Sequence, residues 1–177
     1  MFDSELMDED SMDIGHNQRR EMVKRLIIAL DVSEPKIAEK IIESIGDSGL
    51  FYKIGLQLLT VGGIELAKKL EAKNKNIFLD YKLFDIGITV QRAMESILRY
   101  THPSFITVHG DSHTIKSAAE VVQGTNTRIL AVSVPTSWDR EYLTELGYKF
   151  NLKNLVRKRT QLALDSGAHG IISSALE

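Results

Sequence analysis

The sequence contains no cysteine, three prolines and a single tryptophan. Without cysteine, disulfide frameworks, thiol nucleophiles and cysteine-ligated metals are excluded, and the usage fits a reducing, cytoplasmic setting. No apolar run approaches the roughly 20 residues that a membrane-spanning helix needs, so no membrane partner is expected. Charge of one sign is lacking too. The 22 basic and 24 acidic residues leave a formal net charge of −2, with no basic run to attract nucleic acid. A secretory leader would need an early apolar stretch, whereas Asp3, Glu5, Asp8, Glu9, Asp10 and Asp13 crowd the start. Residues 1–24 read as a flexible tail. Residues 25–177 read as one domain, and the 43% hydrophobic content is enough for one core.

Within that domain, apolar and β-branched runs recur: "LIIALDV" (26–32), "LFYKIGL" (50–56), "NIFLDYK" (76–82), "SFITVHG" (104–110), "ILAVSV" (129–134) and "GIISSA" (170–175). Helical spacing fills the intervals. Ile37, Ile41, Ile42 and Ile45 form one stripe, with Ser33 as the expected N-cap and Pro35 in the first turn. Further stripes are Ile64, Ala67, Lys68 and Leu70; Val90, Ala93, Met94, Ile97 and Leu98; Ile115, Ala118, Ala119 and Val122; and Leu152, Leu155, Val156, Leu162 and Ala163. Strands alternating with helices imply βαβ units and a parallel sheet. The first strand leads into "LDVSEP" and lacks the G-x-G-x-x-G turn of a dinucleotide-binding open sheet. The short, steady repeat therefore predicts an α/β fold of the (β/α)8 TIM-barrel type, of which this chain supplies about six βα units.

In such a barrel, chemistry sits at the carboxyl ends of the strands. Asp31 ends the first run, Lys53 lies in the second, Asp80 and Lys82 in the third and His109 in the fourth. The fifth runs into Pro135, Thr136 and Ser137. Side chains two apart share a strand face, so Phe78, Asp80 and Lys82 point one way and Ile77, Leu79, Tyr81 and Leu83 the other. Asp85 follows closely enough to return to Lys82. Charged groups are rarely placed on an apolar strand unless paired, and six polar groups converge on one end here. His109 and His113 stand four apart, but Gly110 between them argues against a shared helix face, so no metal site is expected. The insert "SWDREYLTELGYKFN" (137–151) reads either as a lid or as a plain surface loop. "KNLVRKR" (153–159) reads as the solvated face of a helix.

The string "DYKLFDI" (80–86) matches the D-x-K-x-x-D-I signature of the orotidine 5′-phosphate decarboxylase family. "ALDV", "FYKIGLQLL", "ITVHG" and "AVSVPTS" fall in the family's order, and the resemblance runs from Arg25 to the last residue. It implies decarboxylation of orotidine 5′-monophosphate to UMP, in pyrimidine nucleotide synthesis, without a cofactor. Lys82 would then be the proton donor to C6, with Asp80 against the substrate carboxylate. Asp31 and Lys53 would hold ribose hydroxyls and extend the charge network. Asp85, Ile86 and Thr89 would reach into the neighbouring site of a homodimer, Thr136 and Ser137 would meet the pyrimidine, and His109 would line the site.

Two departures accompany the resemblance. The family usually continues its signature as D-I-P-N-T or D-I-D-N-T, whereas this chain reads "DIGIT" (85–89), from which altered loop stiffness is expected. The Gln-bearing phosphate loop and the Gly-Arg pair of strands seven and eight have no counterpart in residues 1–177. The barrel is thus expected to be incomplete at the C-terminus, and a chain ending at Glu177 to be a poor catalyst. Two alternatives stand beside the main reading. One is a related, Mg²⁺-dependent sugar-phosphate decarboxylase, disfavoured because Gln57 stands where an acidic ligand would follow strand two. The other is an inactive barrel fragment.

Overall fold

Each of the six apolar runs forms a strand. In the computed structural model, which describes residues 26–135, 137–149 and 151–174, these are β1 (Ile28–Leu30), β2 (Phe51–Gly55), β3 (Asn76–Leu83), β4 (Phe105–His109), β5 (Arg128–Val132) and β6 (Gly170–Ile172). The tail over 1–24, Thr136 and the end of the sixth run lie outside the described residues. Order in the sheet is order in the chain, and every neighbouring pair is parallel. Parallel neighbours need a crossover, and helices supply it. They are α1 (Pro35–Ile45), α2 (Leu56–Leu59), α3 (Gly63–Glu71), α4 (Gly87–Tyr100), α5 (Ser112–Val121), α6 (Arg140–Glu145) and α7 (Leu152–Asp165). A doubly wound sheet reverses its strand order at a switch point, whereas this one never does, as in a barrel.

The two strand faces bury different things. Leu30, Tyr52, Ile54, Ile77, Leu79, Ile106, Val108 and Ile129 join Ala38, Ile42, Leu66, Leu70, Met94, Ile115 and Ala163 of the helices in one core. Each fully buried Leu, Ile or Met contributes about 1.5–3 kcal/mol relative to exposure. On the opposite face Phe51 stacks on Phe105 with centroids 5.5 Å apart, and Phe78 meets Phe105 edge-on at 5.9 Å. These three rings form an interior layer, as barrels require.

Local details depart from the sequence reading in three places. The N-cap of α1 is Glu34, not Ser33, and no side chain caps it. Pro35 at the first helical position forces the preceding residue into extended backbone, here φ −136° and ψ 140°, so the helix boundary falls there. Ile37 is exposed, and Ala38 and Ile42 carry the buried stripe, one turn apart. Gly87 does not loosen a turn: it opens α4, and a Cβ there would stand 2.6 Å from Ser117 Oγ on α5. Its role is close helix approach.

The insert after β5 has a small core of its own. Val134, Leu143, Leu155 and Val156 are buried together under Trp138, Tyr148 and Leu152. Arg159 of α7 ties it down, contrary to the solvated face expected for 153–159. Its guanidinium lies 5.4 Å from the Trp138 ring and 5.5 Å from the Tyr148 ring, and it donates to Ser133 O at 2.9 Å and to Tyr148 Oη at 2.6 Å. Arg159→Ala is expected to speed amide exchange through 138–149 and to cost about 1–3 kcal/mol, because the Ser133 carbonyl and the Tyr148 hydroxyl lose a charged donor. Arg159→Lys should not rescue it, since an ammonium cannot stack and fork at once. Unchanged exchange in Arg159→Ala would show that the insert holds itself.

Candidate active site

The polar strand ends meet where β3 loses its regular ladder. Leu79 pairs with Ile106 and Leu83 with Val108, so Asp80, Tyr81 and Lys82 all face one β4 residue, Thr107. A bulge of this kind re-aims side chains. Within it Lys82 takes φ +48°, a left-handed conformation that costs a non-glycine residue about 1–3 kcal/mol. Two bonds hold the bulge: the Lys82 backbone N–H donates to Thr107 Oγ1 at 2.9 Å, and that hydroxyl donates to Asp80 Oδ1 at 2.9 Å.

From this hub runs an array of alternating charge. Lys82 Nζ donates to Asp80 Oδ1 at 2.8 Å, Lys53 Nζ lies 3.6 Å from Asp80 Oδ2, and Lys53 Nζ donates to Asp31 Oδ1 at 2.8 Å. Gly55 makes room for the outer pair, since a Cβ there would stand 3.2 Å from Asp31 Oδ1. Exposure grades across the array. The Asp80 side chain is 16% exposed, whereas that of Lys82 is 49% exposed. A half-exposed ion pair is worth only about 0–1 kcal/mol, less than the strain at Lys82. The ion pair by itself therefore does not offset the strain at Lys82.

Burial pushes the Asp80 carboxyl up, but hydrogen bonds from Lys82 and Thr107 and the charges of Lys82 and Lys53 outweigh it, leaving Asp80 below the usual carboxylate range. A lowered folded value means a contribution present above the unfolded value and lost as pH falls through the folded one. Asp80 is therefore ionised at neutral pH. His109 is half-buried at the end of β4, its ring 4.6 Å from that of Phe84. Burial, then the Arg159 charge, lower its pKa against the pull of Asp111, so the imidazole is neutral near pH 7.

The remaining expected residues stand apart. Asp85 does not return to Lys82: its Oδ1 accepts from Ile86 N–H at 2.7 Å, so its carboxylate is held at the entry to α4. Asp85, Ile86 and Thr89 are exposed, together with Phe84 and Ile88. Ser137 is exposed just past β5, and Thr136 is outside the described residues. His109 lies in β4 and His113 in the first turn of α5, so the pair shares no helix face. Thr107 and Arg159 were not singled out in the sequence. A threonine two residues before His109, on the same strand face, was the available signal for the first; none existed for the second.

Consecutive parallel strands, outer helices, an interior aromatic layer and a lysine–aspartate array at the carboxyl ends define a (β/α)-barrel protein with its polar site in the usual place. Comparison with known proteins narrows the class. The chain belongs to the orotidine 5′-phosphate decarboxylase / HUMPS family, whose model it matches over residues 24–177. An orotidine 5′-phosphate decarboxylase of Rhodopseudomonas palustris (strain TIE-1) is 43% identical over 153 residues, covering 86% of this chain and 64% of that protein. One from Caulobacter sp. (strain K31) is 41% identical over 153 residues, with coverage of 86% and 66%. The crystal structure of the decarboxylase from Lactobacillus acidophilus matches with a TM-score of 0.79 at 32% identity, over 86% of this chain and 72% of that one. That of Methanocaldococcus jannaschii, complexed with the inhibitor BMP, matches with a TM-score of 0.66 at 25% identity, over 84% and 66%. The chain thus spans 64–66% of the length of these curated relatives and folds as a partial barrel.

Proposed function

We propose that this protein decarboxylates orotidine 5′-monophosphate to UMP, using its own charges and no metal or organic cofactor. The observation that carries the reading is the Asp31–Lys53–Asp80–Lys82 array, which ends in a half-exposed lysine side chain whose ammonium is held by one carboxylate. Loss of CO₂ leaves a carbanion at C6 that the pyrimidine ring does not readily absorb. Lys82 stabilises that charge as it develops and then donates the proton. Asp80 orients Lys82 and lies against the substrate carboxylate, while Asp31 and Lys53 bind ribose hydroxyls. Ser137 and Thr136 meet the base, and His109 lines the site as a neutral imidazole.

The exposed strip Phe84–Thr89 fits a homodimer in which Asp85, Ile86 and Thr89 complete the partner's site. No helix among the described residues is long and apolar enough to cross a membrane.

The test is UMP formation from orotidine 5′-monophosphate, in excess chelator, by a purified form of the protein that carries the complete barrel. Turnover undiminished by the chelator is the expected result. Activity that appears only with Mg²⁺, on a sugar phosphate, would place the chain with the metal-dependent branch instead. Absence of UMP under all conditions would overturn the assignment.

A further inference from the structure

We infer that Thr107 is a positioning residue of this site: one buried hydroxyl couples the Asp80 carboxylate to the Lys82 backbone and so aims the Lys82 ammonium. The two bonds run in opposite senses. The hydroxyl accepts from Lys82 N–H and donates to Asp80 Oδ1, each at 2.9 Å, and Thr107 is fully buried. Both bonds are set by topology. Thr107 is the only β4 residue between the paired positions Ile106 and Val108, while β3 has three residues in the same interval. The break in register leaves the Lys82 N–H to be satisfied by a side chain, and a buried N–H without a partner is costly.

The same bond steadies the left-handed backbone at Lys82, which survives only where its surroundings over-determine it. On the carboxylate side, Asp80 Oδ1 receives two donors, Thr107 Oγ1 and Lys82 Nζ. Two donors on one oxygen fix where the ammonium sits. Serine could do the same work; valine, of the same shape, could do neither part.

The kinetic part of this inference rests on the proposed decarboxylation, and the structural part does not, so the experiment reads both. Thr107→Val, Thr107→Ser and the unmodified chain, each carrying the complete barrel, are compared by carboxyl NMR titration of Asp80, by amide exchange at Lys82, and by kcat and KM for orotidine 5′-monophosphate. In Thr107→Val, Asp80 should titrate higher, because a hydrogen bond to its charged form is gone. The Lys82 amide should exchange faster. The kcat should fall on the order of 10–100-fold with KM little changed, as for a misaimed group that acts in the transition state. Thr107→Ser should restore all three.

An Asp80 titration unchanged in Thr107→Val, or a Thr107→Ser chain that behaves like Thr107→Val, would overturn the inference. If the unmodified chain makes no UMP while Asp80 still moves upward in Thr107→Val, the decarboxylase reading fails and the positioning role stands. Should Thr107→Val not fold, the unmodified chain decides: a rapidly exchanging Lys82 amide beside an Asp80 that titrates in the ordinary range is incompatible with the bridge.

Discussion

Lys82→Ala is expected to abolish UMP formation while nucleotide binding stays measurable by calorimetry. The lysine carries two loads in the proposed mechanism, stabilising charge at C6 and supplying the proton. General acid catalysis is worth about 10²–10⁴-fold and a preorganised charge about 10²–10³-fold, so a loss on the order of 10⁴-fold or more follows. Binding should survive, because Asp31 and Lys53 keep their own 2.8 Å pair. Asp80 should titrate higher in this variant, having lost the hydrogen bond and charge of Lys82. Lys82→Gly separates chemistry from strain. It lacks the ammonium equally, yet glycine accepts φ +48°, so it should unfold at a higher temperature than Lys82→Ala by the equivalent of about 1 kcal/mol. Substantial turnover by either variant would sink the proton-donor assignment.

The second large effect concerns two inactive chains that should become active when mixed. Asp85 makes no ion pair with Lys82 of its own chain, and its carboxylate instead accepts from Ile86 N–H on an exposed segment. In the proposed homodimer its role in catalysis is exercised on the neighbouring molecule. Asp85→Asn alone and Lys82→Ala alone should each be nearly inactive. Co-refolded in equal amounts, they give half heterodimers, each with one intact site, so about a quarter of normal activity should return if subunits pair at random. No recovery, with heterodimers demonstrated by native mass spectrometry, would show that the sites are not shared.

The sequence made some of this legible and left the rest hidden. Six β-branched runs with helical stripes between them sufficed for consecutive parallel strands, because both periods are short-range properties of the chain. The alternation in β3 correctly sent Ile77, Leu79 and Tyr81 to the core under the helices and Phe78 to the opposite face, whereas Lys82 lies in the register break, where alternation no longer decides the direction. The same local logic misled at Asp85. Closeness in sequence suggested a return to Lys82, but the turn into α4 directed its carboxylate to the Ile86 amide. It misled again at Arg159, whose neighbours Arg157 and Lys158 are exposed while its own guanidinium lies against two rings from the insert.

By itself, then, the order of residues determined the repeat of strands and helices, the family signature from Asp80 to Ile86, and which groups lie at strand ends. Tertiary structure alone decided how those groups meet. The register break between β3 and β4 depends on pairing between strands more than twenty residues apart, and no local pattern announces it. That break made Thr107 the partner of both Asp80 and Lys82, put Lys82 in left-handed backbone, and turned separate charges into one array. The physical reason is that a hydrogen bond is satisfied by whatever donor or acceptor packing brings within about 3 Å, and packing is a property of the whole chain.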